Sequence, residues 1–310
     1  MLDRRQFLLA SLALLTPAHA RPSPPSSIDP LLAGSVCRTR PATAMAAALA
    51  PRAPGLLRYQ GTHILTYGAF RDIAASYRGP QMERLAVAGG GCDDGISTVR
   101  RGSADLGGMC CPVPGSRGEG LHWLKVADDI KVVLVHPSNP VEDTTLDALR
   151  AVARGRISRW KQLGGNDRAI ALVARKHCPD YFEPVRQLLL DGRDAWTARG
   201  LFVERDEQIT DIVSRYATAI GLVSWVFAKP LVEAGRLKVL RVNGVPPAAA
   251  HVRSGRYPLH GPLSVLYREW LPEMKSFFDF LYGPHGQAIT ARALVPVSAD
   301  EAGYRPARWT

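Results

Sequence analysis

Leu85-Ala86-Val87-Ala88-Gly89-Gly90-Gly91-Cys92-Asp93-Asp94-Gly95-Ile96 is the stretch on which the fold turns. A short apolar run, Leu85 to Ala88, reads as a strand that ends in a glycine triplet. Ile96 to Arg101 then predicts a short helix closed by Gly102, and Ala104 to Met109 a further strand. Working outward, the same alternation continues. Thr62 to Tyr67 reads as a strand that meets Gly68 and a helix with Phe70, Ile73, Ala74 and Tyr77 on its apolar face. Ile130 to Val135 predicts a buried strand, and Thr144 with Asp147 a capping box for a helix carrying Leu146, Leu149 and Val152. Ala169 to Ala174 predicts a strand, followed by a helix with Pro179 in its first turn, Phe182, Val185 and Leu189 inward, and Gly192 at its end. Ile209 to Tyr216 reads as helix, Ala219 to Trp225 and Leu237 to Val242 as strands, and Leu271 to Tyr282 as a helix near the C-terminus. From Gly61 onward this pattern indicates an α/β fold with largely parallel sheets, and no internal repeat is visible.

The 310 residues, 46% of them hydrophobic and 22% charged, suffice for one large or two medium domains. Residues 1–20 read as an export signal rather than as fold. Met1 to Arg5 is a basic n-region, Phe7 to Leu15 an apolar run, and Ala18-His19-Ala20 a small-x-small cleavage site, so the mature chain is expected to start near Arg21. Arg4-Arg5-Gln6-Phe7-Leu8 is similar to a twin-arginine signal, although Asp3 and Leu9 stand where that motif more often has Ser and Lys, which leaves ordinary secretion open. The apolar run is too short to span a bilayer and no later stretch is long enough either, so the mature chain is expected to carry no transmembrane segment and to be periplasmic. Residues 21–56, rich in Pro, Ala and Ser, read as a linker or loosely attached arm, and 301–310 as a tail. The net charge of +11 can steer anions toward a cleft. The basic residues, 32 Arg and 7 Lys, are scattered and form no block or aromatic-interleaved stripe, which argues against nucleic acid.

Five segments in order carry a resemblance. They are Asp128-Asp129-Ile130 through Asn139-Pro140; Arg156-Ile157-Ser158-Arg159-Trp160-Lys161-Gln162-Leu163-Gly164-Gly165; Ala219-Ile220-Gly221-Leu222-Val223; Ser254-Gly255-Arg256-Tyr257-Pro258-Leu259; and Gly286-Gln287-Ala288-Ile289 leading to Val295-Pro296. Together the chain from about Gly61 to Val297 resembles the PstS-type phosphate-binding proteins of ABC transporters. The resemblance implies a two-lobed periplasmic-binding-protein fold of type 2, with two crossing strands at the hinge and a ligand cleft between the lobes. It implies lobe 1 at 57–134 plus 246–300 and lobe 2 at 135–245, hinged closure around the ligand, and a monomer that serves an ABC permease. In this family the anion is gripped by backbone N–H groups at helix starts and by small hydroxyl side chains, with Arg as counter-charge.

The gripping loops depart from that pattern. The first, usually Ser/Thr-rich, reads Thr66-Tyr67-Gly68-Ala69-Phe70; the second, usually Gly-Ser-Gly, reads Gly91-Cys92-Asp93-Asp94-Gly95. The third reads Gly108-Met109-Cys110-Cys111-Pro112, and the fourth Arg175-Lys176-His177-Cys178-Pro179-Asp180. Thiols replace hydroxyls at three loops, so four of the five cysteines fall on the expected cleft and only Cys37 lies in the arm. Candidate ligand-binding residues are therefore Thr66, Tyr67, Gly68, Ala69, Cys92, Asp93, Asp94, Cys110, Cys111, Arg175, His177 and Cys178. Arg175 matches the family's anion-pairing position. Asp93 and Asp94 either cap the helix expected from Gly95 or accept a proton from a bound oxyanion.

The cysteines admit two readings. In an oxidising compartment a disulfide from Cys92 to Cys110 or Cys111 would staple neighbouring loops. Alternatively Cys92, Cys110, Cys111, His177 and Cys178 could ligate a soft metal or metalloid such as Cu, Zn or arsenite, for transport or for presentation to a membrane sensor kinase. Cys178, expected at a helix N-cap beside Arg175 and Lys176, is the thiol most favoured as thiolate. No nucleophile–base–orienter set is visible, which argues against an enzyme, and no cofactor is called for beyond a thiol-bound metal ion.

Overall fold

The computed structural model describes residues 49–175, 183–191 and 195–305. The export signal, most of the arm with Cys37, the stretch from Lys176 to Phe182 with His177, Cys178, Pro179 and Asp180, and Gly192 lie outside the described residues.

Strand β1 (Leu56–Thr62) sits between β2 (Arg84–Gly90) and β3 (Leu106–Met109), parallel to both. Helix α1 follows β1 as three joined pieces: His63–Leu65, a π-helical turn Thr66–Phe70, and Arg71–Ser76. The strand expected at Thr62 to Tyr67 is therefore displaced. Leu57 and Tyr59 fill the core, β1 stops at Thr62, and the apolar run Ile64-Leu65 belongs to a helix whose first turn is capped by the Thr62 side chain. A short apolar run reads alike in both states, and the cap, not the run, decides. The expected inward face survives, with Phe70, Ile73 and Tyr77 buried.

Helix α2 (Cys92–Arg100) starts four residues before the expected Ile96. Glycines explain its placement. A Cβ on Gly61 would lie 2.1 Å from the Gly108 nitrogen, and one on Gly95 would lie 2.9 Å from the same atom. The helix backbone thus rests directly on β1 and β3, which bulkier residues would forbid.

The long strand β4 (His122–Val135) joins the two halves. Its first part pairs antiparallel with β10 (His260–Tyr267), and its last part with β8 (Ala219–Ser224) and β9 (Lys238–Val242). Beyond β8 lie β6 (Ala171–Arg175) and β7 (Leu201–Val203), both parallel to their neighbours, while β5 (Asp143–Thr144) flanks β9. The sheet is mixed rather than largely parallel. β4 and β10 carry the chain between the halves in opposite directions, so every pairing they make is antiparallel.

Two cores result. One gathers Leu57, Tyr59, Phe70, Leu106, Val126 and Phe277; the other gathers Val132, Leu134, Val173, Ile209, Ile220 and Leu240. They divide on β4, where Ala127 faces the first and Ile130 the second. Helices α3 (Leu146–Ala153), α4 (Pro184–Leu190), α5 (Asp206–Arg215) and α6 (Trp225–Glu233) cover the second half. One local expectation shifts by a single residue. The N-cap of α3 is Thr145, not Thr144, because Thr144 is occupied in β5. The proline in the first turn of α4 is Pro184, with Glu183 as N-cap.

Candidate functional site

Three strand ends of the first half finish side by side. Register places Gly61 opposite both Gly89 and Gly108, so the chain leaves β1, β2 and β3 at one edge of the sheet. At that edge α2 presents its first turn, whose N–H groups precede any helical acceptor and carry the positive end of the helix dipole. Asp94 folds back to accept the Gly91 N–H at 3.3 Å, and Asp93 pairs with Arg117 at 2.7 Å. Cys110, the first residue after β3, donates its N–H to Cys92 Sγ at 3.2 Å, and the Cys92 and Cys110 sulfurs are themselves 3.2 Å apart. Cys111 is buried beside them with Ile96, Met109 and Val113. The sulfur contact with Cys110, together with burial, pushes the Cys92 thiol well above its usual range. Contacts with Cys110 and Cys92, again with burial, push Cys111 up as well. These two thiols are therefore protonated, and a protonated thiol donates a weak hydrogen bond much as the hydroxyl it replaces would.

Beneath them, where β4 passes between the halves, lies a buried polar knot. Lys131 Nζ contacts Asp129 Oδ2 at 2.9 Å, and the Ser224 hydroxyl donates to Asp129 Oδ1 at 2.5 Å. Ser224 also caps α6 by accepting the Val226 N–H. Burial raises Asp129 to about 6 despite the nearby Lys131 charge. Burial opposes the charge on Lys131 too, but Asp129, Glu183 and Asp206 together outweigh it and hold the ammonium on. The difference is one of partner number: one cation for Asp129, three carboxylates for Lys131.

The second half contributes Arg175 at the end of β6, paired with Asp206 at the start of α5 at 2.9 Å. His63, at the start of α1, lies within the field of Glu207, Arg175 and Asp206 from the second half and of Asp94 from the first. Burial, helped by Arg175, lowers its pKa and favours the neutral ring. This cross-talk identifies the cleft. A recess of about 20 Å³ between Lys131, Arg175, Glu183 and Asp206 has room for one water. A larger hollow, about 200 Å³, is lined by Ser138, Asn139, Trp160, Asn166 and Arg168 and shares no residue with these groups.

Of the residues expected from sequence, Cys92, Cys110 and Cys111 come together, and Asp94 and Arg175 face the cleft that contains His63. Thr66, Tyr67, Gly68 and Ala69 do not form a loop. They lie in the π-helical turn of α1, where Thr66 bonds back to the Thr62 carbonyl. Gly68 and Ala69 are buried, and Tyr67 packs against His63, Arg71 and Phe227. The junction expected there is held instead by Thr62 and His63. The helix expected from Gly95 starts at Cys92 with Gly91 as N-cap; Asp94 does cap it, as the third residue reaching back to the Gly91 N–H, whereas Asp93 pairs with Arg117. His177 and Cys178 lie outside the described residues. Among the described residues no three His, Cys, Asp or Glu side chains are arranged to hold a metal ion, so the thiol-ligated metal reading finds no support. Sequence reasoning missed His63, Asp129, Lys131, Ser224 and Asp206. Asp129 and Lys131 lie within the stretch Asp128 to Pro140 and Ser224 directly follows Val223, and only their mutual burial marks them.

Two α/β halves on a shared crossing strand, with polar groups converging between them, define a bilobal solute-binding fold. The family model described as a PBP superfamily domain matches residues 66–285, and the chain belongs to the PBP superfamily. Among curated proteins it is 27% identical over 222 residues to the phosphate-binding protein PstS of Bacillus subtilis, covering 69% of this chain and 71% of that protein. It is 24% identical over 171 residues to the phosphate-binding protein PstS of Borreliella burgdorferi, covering 53% and 61%. Among solved structures it superposes on a putative phosphate ABC transporter substrate-binding protein with bound phosphate from Clostridium perfringens (TM-score 0.68, 23% identity, 78% of this chain and 100% of that one). A second is an ABC-type phosphate transport receptor from Vibrio cholerae (TM-score 0.61, 22% identity, 76% and 98%).

Proposed function

We propose that the chain is a periplasmic receptor that binds a small oxyanion, phosphate first, between its lobes and delivers it to an ABC permease. The observation that supports this most is the meeting of the α2 first turn and the Cys92 and Cys110 sulfurs with Lys131 and Arg175 at one cleft. N–H groups, S–H groups and two cations are all donors, as an oxyanion needs. The carboxylates there are engaged within the protein, Asp129 by Lys131 and Ser224, Asp206 by Arg175, Asp94 by the Gly91 N–H. A carboxylate at such a site still accepts a hydrogen bond from the O–H of a protonated oxyanion, which favours phosphate and arsenate over sulfate.

In this reading lobe 1 is 57–134 plus 246–300, lobe 2 is 135–245, and residues 1–20 are an export signal of twin-arginine type. No helix among the described residues is long and apolar enough to cross a membrane. The relatives are named as binding proteins, and the site holds donors and counter-charges rather than a nucleophile with its base, which supports binding without catalysis. Titration calorimetry with phosphate, arsenate, molybdate and sulfate is the test. Binding of phosphate or arsenate with little sulfate binding is expected; heat from none of the four removes the oxyanion reading.

A further inference from the structure

Cys92 opens α2 and Cys110 follows β3, and their sulfurs stand 3.2 Å apart. A disulfide bond is about 2.05 Å long, so an approach of roughly 1.2 Å would make one. The backbones that carry them are fixed by other means: strand register, and the packing of Gly95 on Gly108. As residues Cys92 and Cys110 are partly exposed, whereas Cys111 is buried.

We propose that Cys92 and Cys110 form a reversible disulfide, while Cys111 remains a thiol. The oxidant is a small or protein disulfide of an oxidising compartment. One thiol of the pair, as thiolate, attacks that disulfide, forms a mixed disulfide and releases the first thiol of the oxidant. The second cysteine then displaces the other half, so two protein thiols and one disulfide become one protein disulfide and two small thiols. The two hydrogens lost by the protein end on the oxidant. The raised pKa of Cys92 makes the exchange slow, because only the thiolate attacks. The bond ties the first turn of α2 to the end of β3, fixing two of the three junctions on the lobe 1 side of the cleft. The step does not depend on which ligand the cleft takes.

The test is a peptide map of the full chain equilibrated with oxidised glutathione, alkylated and cut with trypsin. Cys92 falls in peptide 85–100, and Cys110 and Cys111 share peptide 102–117. The expected result is the two peptides joined, lighter by two hydrogen atoms, with fragment ions placing the link on Cys110 and alkylation on Cys111. The oxidised protein should unfold about 5 °C or more above the reduced one, and a phosphine reductant should reverse both changes. Cys111→Ser should keep the link and Cys110→Ser should lose it. Separate alkylated peptides, glutathione retained on either cysteine, or a link through Cys111, Cys37 or Cys178 would each overturn the proposal. The wild-type map suffices if a variant fails to fold, and calorimetry with phosphate on the reduced protein reads the oxyanion proposal independently.

Discussion

At the scale of single residues, Asp129 and Arg175 make the sharpest demands. Asp129 is raised to about 6 from 3.8, chiefly by burial. The folded state therefore holds the Asp129 proton more tightly than the unfolded state does. Its contribution is complete below pH 3.8 and is lost as pH rises through 6. Asp129→Asn keeps an acceptor for Ser224 but cannot titrate. Denaturant unfolding at pH 4 and pH 7 should show the wild type losing on the order of 2–3 kcal/mol relative to the variant over that interval. A constant difference would show that Asp129 is not shifted. Arg175→Ala removes a cleft cation and leaves the buried Asp206 without its partner, so phosphate affinity should fall by at least tenfold in calorimetry. An unchanged Kd would move the anion away from Arg175. The cysteines were legible as a cluster because placing them needed only the loop order. His63 was not, because it was read as part of a strand, and Lys131 was not, because a lysine inside an apolar run is functional only once its buried carboxylate partners are known.

Among elements, the seat of α2 decides whether the site exists at all. A Cβ on Gly108 would sit 1.9 Å from the Tyr59 hydroxyl, and one on Gly61 would strike the Gly108 backbone. Neither obstacle is the far end of a flexible chain, since Tyr59 is fully buried. On the opposite face of β3, under α2, a Cβ on Gly107 would lie 2.7 Å from the Gly95 carbonyl oxygen, so Gly107→Ala should cost about 3 kcal/mol in chemical denaturation and release α2 from β3. A loss under about 1 kcal/mol would mean that the helix tolerates a looser seat. The alternation of strands and helices was readable because buried strands in this fold are short apolar runs bounded by glycine. The start of α2 was not, because Cys92, Asp93 and Asp94 are weak helix formers and serve instead as the first turn. The antiparallel centre was also hidden, since pairing direction depends on where the chain returns, which no local pattern records.

For the molecule as a whole, the question is whether ligand free energy reaches both halves. The two cores share β4, which faces one of them at Ala127 and the other at Ile130, so the halves are linked covalently and by pairing yet pack separately. A ligand held only by α2 would stabilise the first half and leave the second to open on its own. One held between α2 and the Arg175–Asp206 pair adds its binding energy to any opening that separates the halves. Phosphate at 100 times its Kd then contributes about 2.7 kcal/mol, and the unfolding midpoint should climb with the logarithm of phosphate concentration. Hydrogen exchange locates that energy. Amides of residues 92–95 in the first turn of α2 and 206–209 in the first turn of α5 should slow together on adding phosphate, and sulfate should slow neither. Protection confined to one of those turns would place the anion on a single half, and the cleft would then be a hinge without a ligand between its faces.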